Sequence, residues 1–451
     1  MKPDPRTYLS NPAADYLEIR LEERRSTSVS YQGKELDDIS ERENRGGCVR
    51  ACHKGGWGFC SFNLDSDLER AVREAVTQAR ATGTGITRLR ALTPVRDCVV
   101  QAFGQDPRSV SLEEKKEIAR KYNDYLLAQP RIVSTRVSYL DRHTRTHLLS
   151  SHGADVEQER TFTGITLMAM ARDGMNVQRA YHSAGDHRGF GNVRGLESKA
   201  EEIAKRTVDL LAAPKVQSGR TTVILDPKLA GVFAHEAFGH MSEADFIFDN
   251  PAIAEKMKRG LRFGTDALNI VDNGTLLEEC GGYAYDDEGV RSQKSYLIKN
   301  GVLDGHLHSR ETAERMDAPG SGNARAISYR FRPIVRMSCT YIEPGAETLD
   351  ALLAGVPDGI YAAGMLGGNT DLEQFTFSAE YAYQIKDGKQ GELLRDVILT
   401  GNLFETLHNI DAVGNDLTLF GGMGGCGKEG QSPLPVSDGG PHLRIRNLLI
   451  G

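Results

Sequence analysis

The sequence predicts an α+β protein, with an N-terminal domain of strands and helices followed by a β-rich C-terminal domain. In the first 215 residues the apolar pattern switches between a period of two, typical of strands, and a period near 3.6, typical of helices. From about residue 330 onward the sequence is rich in glycine and has little helical period, which indicates short strands joined by turns.

The N-terminal elements follow from these periods. Alternating apolar residues predict strands over residues 15–65 and 131–185, and Leu17, Ile19 and Leu21 are expected on one face of the first strand. Amphipathic stripes predict three helices, over residues 66–82, from Ser111 to just before Pro130, and over residues 196–212.

The boundary between the domains is predicted in the stretch 214–219, which is polar and turn-prone. Residues 1–215 then form the N-terminal α/β domain, and residues 216–451 form the C-terminal β-rich domain. A short apolar run at 221–225 predicts the strand that opens this second domain.

Composition and charge exclude several classes of protein. The mean hydropathy of −0.41, without an apolar run of spanning length, argues against a membrane protein. The net charge of −7 and the lack of a long basic block argue against a nucleic-acid partner. The seven cysteines have irregular spacings that do not suit a disulfide framework, and the polar N-terminus lacks a secretory signal, so a cytoplasmic location is expected.

The strongest chemical signal is the segment His235-Glu236-x-x-x-His240. It lies on a helix predicted to run from Pro227 to about His240, with Asp226 as its N-cap. Zinc in a peptidase needs imidazole or thiolate ligands, an open position for water, and a carboxylate that takes a proton from that water. The two histidines supply ligands, and Glu236 supplies the carboxylate. The segment is otherwise apolar, and a buried glutamate there is costly without a cation or hydrogen bonds.

The two histidines are five positions apart, one more than in the familiar helical metal motif. In a regular α-helix, about 100° per residue would turn the second imidazole roughly 140° away from the first. A π-type bulge absorbs one extra residue, and Gly239 would ease the distortion. The spacing therefore predicts a π-bulge or a break of the helix between Glu236 and His240.

Cys426 is the candidate third ligand, because it is embedded in glycines over residues 421–428 and has little packing role there. A free surface thiol is the alternative interpretation. Glu243 and Asp245 closely follow the histidine motif. They are interpreted either as hydrogen-bond partners of the histidine ring N–H groups or as the cap of the next element.

Other histidines and cysteines are weaker candidates. His306 and His308 could bind a metal as a His-x-His pair, but the neighbouring Gly-Val-Leu-Asp-Gly turn favours a hairpin. Cys48, Cys52 and Cys60 lie in a strand-like region, where a shared face in the core is favoured over a metal site.

The metal segment HEAFGHMSEADF resembles the H-E-A-x-G-H-x-x-E-G-D-F segment of the TldD/PmbA family of metallopeptidases, with Ala244 in place of the usual glycine. The C-terminal CGKEGQSPLPVSDGGP is similar to the family's C-x-K-x-G-Q-x-x-P-V-x-x-G-x-P segment, with slightly different spacing at 432–434. VRACHKGGWGFCSFN, SGNARAISYRFRPIVRMSCTYIEPG and FTFSAEYAYQIKDGK also fit. The resemblance therefore covers nearly the whole chain.

The resemblance, specifically to the TldD-type catalytic subunit, implies a zinc-dependent peptidase whose C-terminal β-rich domain carries the metal helix. It implies that His235, His240 and Cys426 are the zinc ligands and that Glu236 is the general base. Peptides or unfolded polypeptide segments are the implied substrates. The implied assembly is a dimer, either a homodimer or a heterodimer with a motif-lacking TldE/PmbA-like subunit.

Two other functions are weighed against peptide hydrolysis. The first is a binding or scaffold protein in which zinc only stabilises the fold. Structural zinc sites are normally closed by four protein ligands, whereas three good ligands and a glutamate favour an open site. The second is a metal-dependent amidase that uses the same chemistry on other substrates.

Overall fold

The computed structural model describes residues 4–63, 65–371 and 373–451, and its fold class is α+β as predicted. In the described part of the chain, residues 16–186 form a seven-stranded sheet. Residues 219–450 form a nine-stranded sheet, a six-stranded sheet and two small two-stranded sheets. The division at residue 215 into two domains stays a prediction.

The N-terminal sheet is built mainly from long antiparallel strands in the order β3-β2-β1-β5-β6, with β4 and β7 both paired to β6. Strand β4, which runs parallel to β6, has no expectation from the sequence because most of its side chains are exposed and do not alternate. The strands are β1 (Tyr16–Gln32), β2 (Glu35–His53), β3 (Gly56–Phe62), β4 (Val95–Val100), β5 (Ile132–Ser150), β6 (Ala154–Asp173) and β7 (Asn176–Asp186).

Three helices lie where the amphipathic stripes predict them. The first packs against β2 and β3, and Gly58 of β3 is required there because a Cβ would lie 1.9 Å from the Ala75 carbonyl oxygen. The second is capped by Ser111, whose hydroxyl accepts a hydrogen bond from the Glu114 N–H at 3.2 Å. The helices are α1 (Leu68–Thr82), α2 (Leu112–Leu127) and α3 (Glu197–Ala212).

The first strand is covered on both of its faces. As predicted, Leu17, Ile19 and Leu21 share one face, where they join an apolar cluster with α1. The intervening Glu18 and Arg20 are buried on the opposite face, where ion pairs compensate their charges. Arg20 pairs with Asp287 of the C-terminal part. Glu18 pairs with Arg50, which also pairs with Glu288 of the C-terminal part. The N-terminal sheet is therefore packed between α1 and the C-terminal part of the chain.

The C-terminal part consists of short strands, as the glycine-rich sequence predicts, with a few helices of five or six residues. The nine-stranded sheet has the order β16-β17-β20-β26-β8-β15-β18-β19, with β21 paired to β26. Its strands are β8 (Gly219–Leu225), β15 (Asp358–Ala363), β16 (Gly367–Asp371), β17 (Gln374–Ala379), β18 (Tyr381–Lys386), β19 (Lys389–Leu394), β20 (Val397–Asn402), β21 (Ile410–Val413) and β26 (Leu443–Ile450).

The six-stranded sheet has the order β11-β10-β9-β14-β25-β22. The remaining strands are β9 (Ile270–Asn273), β10 (Lys294–Lys299), β11 (Val302–Leu303), β12 (Ala324–Arg325), β13 (Ile334–Val335), β14 (Cys339–Ile342), β22 (Thr418–Phe420), β23 (Cys426–Lys428), β24 (Gln431–Leu434) and β25 (Ser437–Gly440). The short helices are α4 (Pro227–Val232), α5 (Ala244–Phe248), α6 (Pro251–Lys256), α7 (Arg310–Arg315), α8 (Leu349–Ala354) and α9 (Leu403–His408).

Two expectations about the chain as a whole can be compared with the structure. All seven cysteines belong to the described residues, and each is a free thiol, as their irregular spacing predicts. None of the helices in the described ranges is long and apolar enough to cross a membrane.

Candidate metal centre

The metal motif lies on a helix whose hydrogen bonding changes midway. Asp226 caps its start by accepting a hydrogen bond from the Leu229 N–H at 2.8 Å, as the sequence predicts. After α4 the chain becomes a π-helix over Phe233–Gly239, and the His240 N–H donates to the His235 carbonyl five residues back. The predicted π-bulge is confirmed. It brings the two imidazole rings to a centroid distance of 5.2 Å.

Gly239 allows a close approach between this helix and a neighbouring segment. A Cβ at this position would lie 2.1 Å from the sulfur of Met337, far inside contact distance. The glycine therefore does more than ease the π-helical distortion predicted from the sequence. It also lets the metal-motif helix pack directly against Met337.

We expect Gly239→Ala to lower the free energy of unfolding by about 1–3 kcal/mol, because overpacking strains a dense core. Chemical denaturation of the two proteins checks this. Gly424→Ala is the matched control, since a Cβ there meets nothing within 4 Å. Truncation of the opposing side chain in the double variant Gly239→Ala/Met337→Ala should recover part of the loss. Equal stabilities of Gly239→Ala and Gly424→Ala would contradict the packing argument.

The structure brings Cys426 to the two histidines across 186 residues of chain. One ligand atom from each of His235, His240 and Cys426 lies within 4.8 Å of the others. His240 Nε2 lies 3.4 Å from Cys426 Sγ. Cys426 begins strand β23, which pairs with β24, and its carbonyl accepts a hydrogen bond from the fully buried Arg336 at 2.8 Å. The thiol is buried, so the alternative of a free surface thiol is wrong.

The cluster favours a thiolate on Cys426, and a bound cation would take the place of the imidazolium charge that stabilises it here. Burial opposes ionisation of the Cys426 thiol, but hydrogen bonds from His235 and His240 outweigh burial and lower the pKa of the thiol to about 5. Burial likewise opposes charging of His240, yet hydrogen bonds with Cys426 and Glu243 raise its pKa to about 10. The thiolate is the form of cysteine that binds metals. The pocket therefore stabilises the charge state of cysteine that a metal ligand requires.

The donor set fits zinc. Among the described residues, His235 Nδ1 is a buried nitrogen that has no hydrogen-bond partner, which is costly unless something else binds it. Two imidazoles and one thiolate are ligands that Zn²⁺ prefers. The described residues supply three such candidate ligands at this point, so a zinc ion held by them would keep a coordination position open for water or substrate.

Glu236 lies at a cleft beside this cluster. The cleft has a volume of about 340 Å³, and Glu236 and His240 line it together with Asn369, Thr370 and Lys428. Glu236 is only partly exposed, so that it borders the cleft instead of pointing into bulk solvent. A carboxylate in this place can exchange a proton with a water molecule held between it and the metal ligands.

The structure separates the two interpretations of Glu243 and Asp245. Glu243 is 1% exposed, and its Oε2 lies 3.1 Å from His240 Nδ1 and 3.0 Å from Lys428 Nζ. It occupies the N-cap position of α5, but its side chain makes no capping hydrogen bond. Asp245 accepts hydrogen bonds from Lys428 at 2.6 Å and from the Val335 N–H at 3.2 Å. Glu243 therefore orients a histidine, and Asp245 holds Lys428 beside it.

The weaker histidine candidates do not join the cluster. The predicted hairpin is confirmed, because β10 and β11 pair next to these residues. His306 Nε2 lies 2.9 Å from the Met257 carbonyl oxygen, and His308 Nδ1 lies 3.3 Å from the Thr312 hydroxyl. One ring nitrogen of each of these histidines is therefore engaged in a local hydrogen bond.

The sequence suggested that Cys48, Cys52 and Cys60 share one face of the sheet, but the structure does not place all three there. Cys48 and Cys52 do share a face, on β2, and both are buried. The β2–β3 register pairs Cys60 with Val49, which places Cys60 on the opposite face, where its thiol lies 3.0 Å from Glu74. The prediction for Cys60 was wrong because residue numbers do not carry the alternation of faces from β2 across the turn into β3. The pairing register of the two strands decides which face a side chain occupies.

Several residues of the site carry no clear signal in the sequence. Lys428 follows Cys426 by two residues, and the C-x-K pattern of the quoted family segment could have singled it out. Arg336, Asn369 and Thr370 lie far from either motif in sequence, and only the fold brings them to the cleft or behind Cys426.

Family models match most of the chain. The matching models are described as the PmbA/TldA metallopeptidase domain 1 over residues 17–79, the central domain over residues 105–211, and the C-terminal domain over residues 218–451. The last of these contains the whole candidate metal centre.

Similar proteins and structures agree with these models. The chain is 42% identical to metalloprotease slr0863 of Synechocystis sp., over 97% of this chain and 95% of that protein. It is 26% identical to a zinc metalloprotease TldD homolog of Saccharolobus solfataricus, over 97% of both chains. The solved structure of TldE from Thermococcus kodakarensis has the same fold, with a TM-score of 0.75, 16% identity and 97% coverage of both chains.

Proposed function

Because this chain belongs to the PmbA/TldD family of metallopeptidases, we propose that it is a zinc-dependent peptidase of the TldD type, which hydrolyses peptides or unfolded polypeptide segments. One observation carries the proposal. His235, His240 and Cys426 converge within 4.8 Å of one another, and Glu236 lies at the adjoining cleft. Relatives named metalloprotease and zinc metalloprotease support the metal and the class of reaction.

In the proposed reaction the chain's own residues hold the metal and move a proton. His235, His240 and Cys426 would be the zinc ligands, and the bound ion would supply Lewis-acid activation of water and of the scissile carbonyl. Glu236 would take a proton from the attacking water and later give it to the leaving amine. Glu243, held by Lys428, would fix the ring orientation of His240.

The substrate would bind along the free edge of β16. In the described part of the nine-stranded sheet β16 is the terminal strand and pairs only with β17. Its residues Asn369 and Thr370 line the same cleft as Glu236. An extended peptide can add to such an edge through main-chain hydrogen bonds, which accept many sequences but require an unfolded segment.

We also propose that the chain acts as a dimer, either with itself or with a motif-lacking TldE/PmbA-like subunit. A protein named TldE has the same fold over nearly its whole length, so the two proposed kinds of partner would share one architecture. The cytoplasmic location stays a prediction.

We expect the zinc-loaded protein to cleave a panel of unfolded peptides, and a chelator to stop cleavage while the fold remains intact. Mass spectrometry of timed samples measures cleavage, and circular dichroism of the same samples measures folding. Unfolding upon chelation, with no cleavage before it, would support the scaffold alternative. Hydrolysis of small amides without cleavage of any peptide would instead support the amidase alternative.

A further inference from the structure

A second, strongly basic cavity lies apart from the metal centre, between the N-terminal sheet and the C-terminal part. Its volume is about 80 Å³, several times the roughly 10–15 Å³ that one buried water needs. Four arginines line it: Arg24 of β1, Arg142 of β5, Arg160 of β6 and Arg325 of β12. None of the proposed zinc ligands lines this cavity.

Among the described residues, Arg142 and Arg160 form no ion pair, although the nearby Glu22 favours the charged form of both. Within the described ranges of the chain, the Arg142 guanidinium makes neither a hydrogen bond nor an ion pair. Burial, together with the nearby Arg24, lowers the pKa of Arg142 to about 10. Arg160 has a single long contact, at 3.5 Å, with the Gly282 carbonyl oxygen, and burial and Arg325 lower its pKa.

The acidic residues of the cavity do not balance this charge. Asp287 forms a 2.7 Å ion pair with Arg20, which is not a lining residue, and accepts a hydrogen bond from the Ala326 N–H. Asp286 accepts hydrogen bonds from the backbone N–H groups of Glu288, Val290 and Ala324, and it forms no ion pair with the lining arginines among the described residues.

The buried Glu22 forms a 3.0 Å ion pair with Arg24 and so offsets one of the four arginines. Arg142 and Arg160 form no ion pair of their own among the described residues, and an anion bound between them would compensate their charge.

His187 provides an independent indication of a ligand. Its side chain is 6% exposed and lines the cavity, and its Nδ1 donates to the Thr161 carbonyl oxygen at 3.0 Å. Its Nε2 is buried and makes no hydrogen bond of good geometry among the described residues, although the backbone of Cys280 lies nearby. Burial lowers the pKa of this ring to about 4, so that the neutral form is favoured. Because Nδ1 carries the proton, Nε2 is an acceptor when the ring is neutral, and it becomes a donor when the ring is protonated.

We propose that this cavity binds a small oxyanion, of the size of a phosphate or a carboxylate group, between Arg142 and Arg160. Guanidinium groups recognise both kinds of anion through paired N–H donors, which explains why arginines, and not lysines, line the cavity. The neutral His187 ring would accept a hydrogen bond at Nε2 from a protonated oxyanion such as hydrogen phosphate, and the ring would donate to a carboxylate only in its protonated form. A free oxyanion and the C-terminal carboxylate of a peptide share this chemistry, and the competition experiment below distinguishes them.

Isothermal titration calorimetry of the full-length protein with inorganic phosphate, at fixed ionic strength, tests the proposal. We expect saturable binding that Arg142→Gln and Arg160→Gln each weaken by about tenfold or more, because each loses charged hydrogen bonds. Arg145→Gln is the control, since Arg145 lies on the same strand but pairs outside the cavity with Glu157 and should leave the affinity unchanged. Circular dichroism checks that every variant is folded.

Competition experiments identify the source of the anion. A peptide with a free C-terminal carboxylate, compared with its C-terminal amide, should displace phosphate only if a peptide terminus occupies the cavity. Displacement by inorganic anions alone would assign the site to a free oxyanion, and both results support the proposal. The proposal is overturned if neither phosphate nor the free carboxylate binds saturably, or if folded Arg142→Gln and Arg160→Gln bind as tightly as the parent protein.

Discussion

Replacing Glu236 by glutamine is expected to abolish peptide hydrolysis while the protein keeps its zinc. Glutamine preserves the size of the side chain but cannot accept a proton from water, and a positioned general base contributes about 10²–10⁴-fold to the rate. Glu236 is not among the three grouped ligand atoms, so the metal site should stay intact. Timed cleavage of an unfolded peptide gives the rate, and elemental analysis gives the zinc content.

Glu255→Gln is the matched control for this experiment. Glu255 lies on α6 and is well exposed, so the same chemical change there should leave both rate and zinc content unaltered. A Glu236→Gln protein that retains zinc and full activity would remove Glu236 from the mechanism. Loss of zinc together with activity would show instead that this carboxylate acts mainly on the metal.

Replacing Cys426 by serine is expected to remove most of the zinc and, with it, activity by roughly a hundredfold or more. A thiolate is a strong zinc ligand, whereas the hydroxyl of serine stays protonated near neutral pH and binds zinc poorly. The hydrogen bond from the Arg336 guanidinium to the Cys426 main-chain carbonyl does not depend on the Cys426 side chain, so the β23–β24 hairpin should remain. Elemental analysis and a peptide cleavage assay measure the two losses.

Cys98→Ser is the control, because Cys98 is an exposed free thiol outside the cluster. It should retain the zinc content and activity of the parent protein. A Cys426→Ser protein with a full complement of zinc would show that the ligand set is different from the one proposed. A soluble, folded Cys426→Ser protein that lacks zinc would also argue against the scaffold alternative, in which the metal holds the domain together.

The local features of the site follow from the sequence. The spacing of His235 and His240 conflicts with a regular α-helix, and this conflict predicts a π-bulge or a break of the helix between Glu236 and His240. The structure has a π-helix over Phe233–Gly239. Asp226 and Pro227 likewise predict where the helix begins, because N-cap hydrogen bonds and the fixed φ of proline act within one turn. Such features depend on neighbours a few residues away, which the sequence lists directly.

The sequence also determined the α+β class, because apolar residues repeat with a period of two in a strand with one buried face and with a period near 3.6 in an amphipathic helix. It did not determine which distant residues meet. The ligand distance between His240 and Cys426, the orientation of His240 by Glu243 and Lys428, and the edge of β16 at the cleft depend on how the sheets pair. Pairing register is fixed by long-range packing, as the misplaced face of Cys60 shows.

The features of the candidate metal centre therefore divide into those that local sequence predicts and those that only the fold creates. The six consecutive residues 235–240 predict a distorted helix, because the backbone geometry of this segment depends on neighbouring residues. The third candidate ligand, the cleft and the arginine-lined cavity exist only in the folded chain. Tertiary structure decided them because burial of the apolar faces brings strands together that are far apart in sequence, and polar side chains between those strands must then satisfy one another or bind a ligand.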